Sequence, residues 1–404
     1  MASNNFLDTL QTFDGEKPII TEKLEGALAF HQVEGEFWTS AQRQGMNLHE
    51  ISYRACFKPQ LPHYFISRFS EPGDLIYDPF AGRGTTLIEA ASMGRRVVMN
   101  DVNPLSTYFT RPRLELPTLE DIAKRLESIP RVTRRIPAID LSMFYETKTL
   151  TEILALQEYL ERVKRDGSED AVDRWIRMAA TNRLTGHSPG FFSVYSMPPN
   201  QAVSAARQKK INEQRNQVPE YRDTHALIIK KSKQLQGRLT VEQMENLRAA
   251  SKTAAFFDVD AAQTSGIAAE TVQLTVTSPP FLDIVQYSDD NWLRGWFNQI
   301  DMESVAAKIT MSKTIEQWDA KMKTVFEELH RITKPGGFVA FEVGEVRNGK
   351  VKLEEAVVPV GREAGFTCLG TLINTQNFTK TSNIWGVSNN TGGTNSNRVV
   401  VFKK

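Results

Sequence analysis

Leu75-Ile76-Tyr77-Asp78-Pro79-Phe80-Ala81-Gly82-Arg83-Gly84-Thr85-Thr86 is the stretch from which the fold is read. Its first three residues form an apolar run that follows the turn Glu71-Pro72-Gly73-Asp74, and the glycines after it break any strand ladder. Leu87-Ile88-Glu89-Ala90-Ala91-Ser92-Met93-Gly94 then has the composition of a helix closed by glycine. Arg95-Arg96-Val97-Val98-Met99-Asn100-Asp101 supplies a second β-branched run that finishes on an acid. Strand, glycine loop, helix and strand make one βαβ unit, which predicts a parallel sheet with the loop and its ligand at the carboxyl edge.

Outward from this unit the chain changes texture twice. Between residues 116 and 250, segments 119–129, 149–165, 168–184 and 241–255 carry apolar residues at helical three-and-four spacing among many charges. Strand-like runs return afterwards as Phe256-Phe257-Asp258-Val259-Asp260, Val272-Gln273-Leu274-Thr275-Val276, Phe338-Val339-Ala340-Phe341-Glu342-Val343 and Val399-Val400-Val401-Phe402. The expected architecture is an α/β sheet discontinuous in sequence, with halves at 1–115 and 251–404 and a mostly α-helical insert at 116–250. No internal repeat or low-complexity tract interrupts it.

Composition narrows the function. The 404 residues are 40% apolar, and 49 Lys+Arg against 48 Asp+Glu leave a net charge of +1, so any nucleic-acid-binding surface must be local. There is no long uninterrupted apolar run, and the opening residues lack a basic and apolar leader pattern, so the expectation is a cytoplasmic protein without a membrane partner. Cys56 and Cys368 are too few for a disulfide scaffold. His31, His49, His63, His187, His225 and His330 form no zinc-binding spacing, and no metal is expected.

Gly82 and Gly84 let the backbone approach a ligand closely, and the following helix offers free N–H groups. No lysine precedes Thr85, which disfavours a triphosphate loop, and Leu87 stands where a dinucleotide loop wants a small residue. A nucleoside cofactor without phosphates fits, its hydroxyls taken by Asp101, and S-adenosylmethionine answers that description. A second constellation is Thr277-Ser278-Pro279-Pro280-Phe281, where a proline pair stops a strand and stiffens the backbone beside a hydroxyl and a ring. Such a set can hold a flat heterocycle with an exocyclic amine.

These two motifs closely resemble those of the S-adenosylmethionine-dependent DNA amino-methyltransferases, with a cofactor motif of the form Asp-Pro-Phe-x-Gly-x-Gly-Thr-Thr and a catalytic motif of the form Ser/Asp/Asn-Pro-Pro-aromatic. The resemblance implies a Rossmann-like class I methyltransferase sheet. It assigns cofactor contacts to Phe57 and Lys58 in Cys56-Phe57-Lys58-Pro59-Gln60-Leu61-Pro62, to Asp78, Pro79, Phe80, Ala81, Gly82, Gly84, Thr85 and Thr86, to Asp101 and Val102, to Asp260 and Ala261 near the adenine, and to Thr277. Lys334-Pro335-Gly336-Gly337 resembles the family's turn into a later strand. Ser278, Pro279, Pro280 and Phe281 are implied to be catalytic, with Ser278 and the Pro279 carbonyl holding the amine, Phe281 stacking on a flipped base, and the nitrogen attacking the methyl directly. Serine at the first position leans toward cytosine N4, and adenine N6, RNA, or nucleic-acid binding without turnover stay open. The partners implied are DNA and a cognate restriction endonuclease.

Between Arg207 and Arg238, nine bases (Arg207, Lys209, Lys210, Arg215, Arg222, Lys230, Lys231, Lys233, Arg238) face three acids, a local +6 in a near-neutral chain. We read it as a phosphate-contacting face of the insert. Gly186-His187-Ser188-Pro189-Gly190 matches the G-x-S-x-G nucleophile elbow in letters only, because a helical pattern precedes it where a strand is required. Trp292 and Trp296, at helical spacing, read as core.

Overall fold

The structure, a computed structural model, describes residues 10–12, 15, 17–25, 28–38, 45–54, 56–197, 202–280, 287–309, 312, 314–346, 351–375 and 396–404. Its strands are β1 (Ile19–Glu25), β2 (Leu28–Gly35), β3 (Leu75–Asp78), β4 (Arg96–Asn100), β5 (Ala255–Phe257), β6 (Val272–Thr277), β7 (Thr333–Val343), the short pair β8 (Glu345–Val346) and β9 (Val351–Lys352), β10 (Thr367–Thr375) and β11 (Ser396–Lys403). The main sheet runs β1-β2-β10-β11-β7-β6-β3-β4-β5. From β5 to β7 every neighbour is parallel, β11 inserts antiparallel between β7 and β10, and the β1-β2 hairpin extends the far edge. The sheet from β5 to β10 is Rossmann-like, with one antiparallel strand tucked into a parallel set, and the expected βαβ unit lies at its centre.

Alternation sorts the side chains. Ile76, Val97, Met99, Leu274, Val399 and Val401 enter one apolar cluster, and Tyr77, Val98, Val400 and Phe402 enter the other, so the central strands are buried on both faces. The first face carries helices α1 (Gln60–Phe69), α2 (Thr85–Ser92) and α3 (Leu105–Glu115), followed by α4 (Leu119–Ser128), α5 (Thr147–Arg165), α6 (Ala171–Thr181), α7 (Ala205–Arg215), α8 (Thr224–Gln236) and α9 (Val241–Ser251). Phe109, Ile122, Ile153, Trp175, Ile228 and Leu247 join the sheet residues in that same cluster, so the helices of 116–250 build outward on the sheet's own core. Short helices α10 (Tyr287–Asp290), α11 (Trp292–Asn298) and α12 (Met302–Lys308) follow β6, and α13 (Ile315–Ile332) and α14 (Leu353–Glu363) cover the second face. Trp292 and Trp296 pack against the first cluster, as their spacing predicts.

Local chemistry sets the boundaries. Asp170 and Thr240 open α6 and α9 with reciprocal capping boxes. Lys334-Pro335-Gly336-Gly337, expected as a turn, lies inside β7: pairing with β6 jumps from Val272↔Thr333 to Leu274↔Phe338, a bulge in which Gly336 takes φ +79°. The β1-β2 hairpin is held at its exit by buried Asn374, whose Oδ1 accepts from Phe37 N at 2.7 Å and Trp38 N at 3.1 Å. No helix among the described residues is long and apolar enough to cross a membrane.

Gly84 is the most closely packed of the described glycines. It sits at φ +74° before α2, and a Cβ there would lie 2.1 Å from Thr110 Oγ1 and 2.7 Å from Thr110 Cγ2 on α3. Gly84→Ala is expected to cost at least ~2 kcal/mol through left-handed strain and overpacking. Denaturation midpoints check this, and a variant as stable as the parent would contradict the assigned contact.

Candidate active site

Three carboxyl ends meet at one cavity. The loop after β3, the Asp101 turn after β4 and the Ser278-Pro279-Pro280 segment after β6 all open into it. It is lined by Phe57, Pro79, Phe80, Ala81, Gly82 and Thr85, by Asp101 and Val102, by Asp260 and Ala261, and by Ser278 and Pro280. Cys56, in the same segment as Phe57, lines it as well, and sequence reasoning missed Tyr53, Asn100, Asn103, Lys308, Ile309, Trp318, Lys321 and Met322, which complete the wall. Trp318 and Met322 come from α13 at a spacing that reads equally well as core, and only the folded position of α13 tells the two apart.

The loop is held by its own acids. Gly82 N donates to Asp101 Oδ2 at 2.8 Å and Asn103 N to Oδ1 at 2.9 Å, which aims the carboxylate at the cavity while fixing its position. Burial pushes the Asp101 carboxyl up from its ordinary range, and these two backbone donors oppose the shift. Asn100 laces the neighbouring edge: its Nδ2 donates to Val259 O at 2.9 Å and its Oδ1 accepts from Val259 N at 3.0 Å, placing Asp260 at the rim. Asp260 accepts from Lys321 Nζ at 2.5 Å and stays below the ordinary carboxylate range despite partial burial.

Other expected contacts sit behind the wall. Asp78, 1% exposed, accepts from Thr277 Oγ1 at 2.6 Å and from Phe80 N at 3.1 Å, both on Oδ1, and Thr86 Oγ1 donates to Val276 O at 3.0 Å. Asp78, Thr86 and Thr277 thus tie β3 and its loop to β6, and Gly84 packs on Thr110. Lys58 is exposed and outside the lining, Pro279 is buried without lining the cavity, and Phe281 lies outside the described residues. Arg83 turns from the cavity to donate to Ile51 O at 3.0 Å and Phe57 O at 3.2 Å.

Behind Ser278 stands Glu342 of β7, which no sequence motif marks as functional. It is 8% exposed, interacts electrostatically with the Ser278 hydroxyl and accepts from Asn397 Nδ2 at 3.2 Å. Burial raises its carboxyl above the ordinary range, partly opposed by those two donors. A carboxylate there can accept a hydrogen bond from the hydroxyl, which leaves the Ser278 lone pairs free to accept.

The expected basic face divides. Arg207, Lys209, Lys210 and Arg215 are exposed on α7, with Lys209 3.6 Å from Asp140 and the Arg215 guanidinium over the Tyr195 ring. On α8, Lys230 and Lys233 are exposed, whereas Lys231 is buried and donates to Glu50 O at 2.8 Å. Gly186-His187-Ser188-Pro189-Gly190 is a loop closed by the Gly186↔Tyr195 bridge, with no strand leading into it. Among the described residues no cluster of His, Cys, Asp or Glu is placed to hold a metal.

The donor set fits S-adenosylmethionine. A Cβ on Gly82 would come 3.3 Å from Cys56 Sγ, so the glycine keeps the cradle open. Asp101 and Asp260 suit hydroxyls and an amine, Phe80, Ala261 and Met322 suit an adenine, and a polyphosphate would face the Asp101 carboxylate.

Residues 19–106 match the family model described as DNA methylase, of the N6/N4 class. A Type II methyltransferase, M.MjaII of Methanocaldococcus jannaschii, is 28% identical over 144 residues, which are 35% of this chain. The match spans 23% of that relative's length. Among solved structures, a candidate DNA modification methylase of Thermus thermophilus aligns at 21% identity over 36% of this chain and 50% of its own, with TM-score 0.22. The rRNA methyltransferase AviRa of Streptomyces viridochromogenes aligns at 11% identity over 89% of this chain and 90% of its own, with TM-score 0.34.

Burial raises the Asp78 carboxyl to about 7, so this group makes the fold less stable as pH rises from the unfolded value of 3.8 through 7. Asp78→Asn keeps an acceptor at Oδ1 for Thr277 and Phe80, and its melting temperature relative to the parent is expected to rise from pH 5 to pH 8. The opposite trend would contradict the buried, protonated Asp78.

Proposed function

We propose that the chain, whose residues 19–106 match the DNA methylase family model of the N6/N4 class, methylates DNA at the exocyclic N4 amine of cytosine. The observation that supports this reading is a single cavity lined by the Gly82 loop, Asp101 and Ser278. S-adenosylmethionine bound there supplies an electrophilic methyl on its sulfonium. Ser278 accepts an N–H bond from the target amine, whose lone pair is otherwise conjugated into its ring. The base must leave its duplex to reach this depth, at a cost of a few kcal/mol.

Ser278 serves as acceptor because Glu342 is placed to accept the hydrogen of its hydroxyl. As the new N–C bond forms, the methyl's C–S bond breaks with its electron pair going to sulfur, the amine sheds one proton, and the Glu342 carboxylate receives it through the Ser278 hydroxyl. No covalent bond to the protein is required. Serine rather than aspartate or asparagine at position 278 favours cytosine over adenine. The reading implies a cytoplasmic setting, base flipping, and a restriction endonuclease of matching specificity as partner.

Ser278→Ala is expected to lower labelled methyl transfer to DNA by ~10²-fold or more while the cofactor Kd moves less than about two-fold. Glu342→Gln lowers kcat by roughly ten-fold or more with cofactor KM held, and removes the loss of rate that the parent shows as its raised carboxyl protonates on acidification. Full turnover in both variants would remove the pair from the mechanism.

A further inference from the structure

A second cleft, of about 720 Å³, opens on the other side of Tyr53, which lines both it and the cofactor cavity. Its walls bring together Arg83 of the glycine loop, Arg183 after α6, Lys230 and Lys231 of α8, and the Ser188-Pro189-Gly190 turn. Glu50 is the one carboxylate in that lining, and no ion pair joins an acid to these four cations among the described residues.

The cations are fixed by neutral partners. Arg183 Nε donates to Asn182 O at 3.0 Å, Nη2 to Asn182 Oδ1 at 2.8 Å and Nη1 to Gly190 O at 3.4 Å, with the guanidinium 4.0 Å over the Phe191 ring. Those bonds use three of five N–H donors. Lys231 Nζ donates to Glu50 O and to Gln234 Oε1 at 3.3 Å. Burial, then the charge of Arg294, brings Arg183 down to about 10, with Glu50 opposing, and burial, then Arg183, brings Lys231 down to about 8. Burying like charges side by side is unfavourable, and an anion entering the cleft offsets that cost.

The loop around Gly186 makes the wall rigid. Ser196 N donates to Gly186 O at 2.8 Å, Phe192 N to Arg183 O at 2.8 Å, and a Cβ on Gly186 would meet the Phe191 ring at 2.4 Å. We propose that this cleft binds a backbone phosphate of the nucleic-acid strand whose target nucleotide enters the neighbouring cavity across Tyr53. The inference rests on the methyltransferase reading and adds to it where the strand runs. It also gives the G-x-S-x-G look-alike a use as the wall that positions Arg183.

Binding of mixed-sequence genomic DNA fragments, followed by anisotropy over a salt series, tests it. Lys230→Glu and Arg183→Gln are expected to raise Kd by about ten-fold and to flatten the salt slope by about one each, with cofactor affinity and melting temperature kept. Lys230 is exposed, so its variant reports even where Arg183→Gln folds poorly. Lys124→Glu, at an exposed cation of α4, controls for net charge. Cleft variants that behave like Lys124→Glu while the parent binds and methylates DNA would overturn the phosphate site alone. A parent that neither binds nor labels DNA would overturn the methyltransferase reading and the site with it.

Discussion

The site depends on one buried latch. Asp78 at the end of β3 bonds Thr277 at the end of β6, and Thr86 of α2 bonds the Val276 carbonyl, so the glycine loop and the Ser278 segment cannot separate without breaking buried hydrogen bonds. Losing one partner of such a bond leaves the other unsatisfied at ~1–3 kcal/mol. Gly84 closes the same point from behind, because only a residue without Cβ lets α2 lie this close to Thr110. With the loop and the Ser278 strand locked side by side, the Gly82 loop, Asp101 and Ser278 line one cavity, which is what the proposed methyl transfer requires.

Charge divides the surroundings of Tyr53 into two regions. On one side Asp101 and Asp260 line the cavity, with Lys321 neutralised by Asp260. On the other Arg83, Arg183, Lys230 and Lys231 line the cleft. Lys308 shares that cavity wall, so the acids there are balanced, whereas the cleft keeps an excess of positive charge although the whole chain carries only +1; the proposed nucleic-acid strand would run beside that excess.

Much of this was legible in the sequence because the signals are local. The βαβ unit of β3, α2 and β4, the strand ahead of Ser278 and the loop residues that line the cavity follow from short runs and turn residues. The β1-β2 hairpin and β10 escaped because their place depends on pairing with distant strands, Gln32–Gly35 with Thr371–Asn374, which no local pattern encodes. Trp318, Lys321 and Met322 lie on an amphipathic helix whose face toward the cavity is chosen by docking. Glu342 alternates within an apolar strand and gains meaning only once β6 lies beside β7. Lys231 counts as surface charge in a tally along the chain, yet helix α8 turns it inward onto Glu50.

On the reading proposed above, Ser278 and the glycine loop together direct a methyl group to the N4 amine of cytosine in DNA. Mass spectrometry of nucleosides from genomic DNA and RNA, incubated with the protein and isotopically labelled S-adenosylmethionine, tests it most directly. The account predicts labelled N4-methylcytosine in DNA, and label confined to N6-methyladenine or to RNA would contradict it.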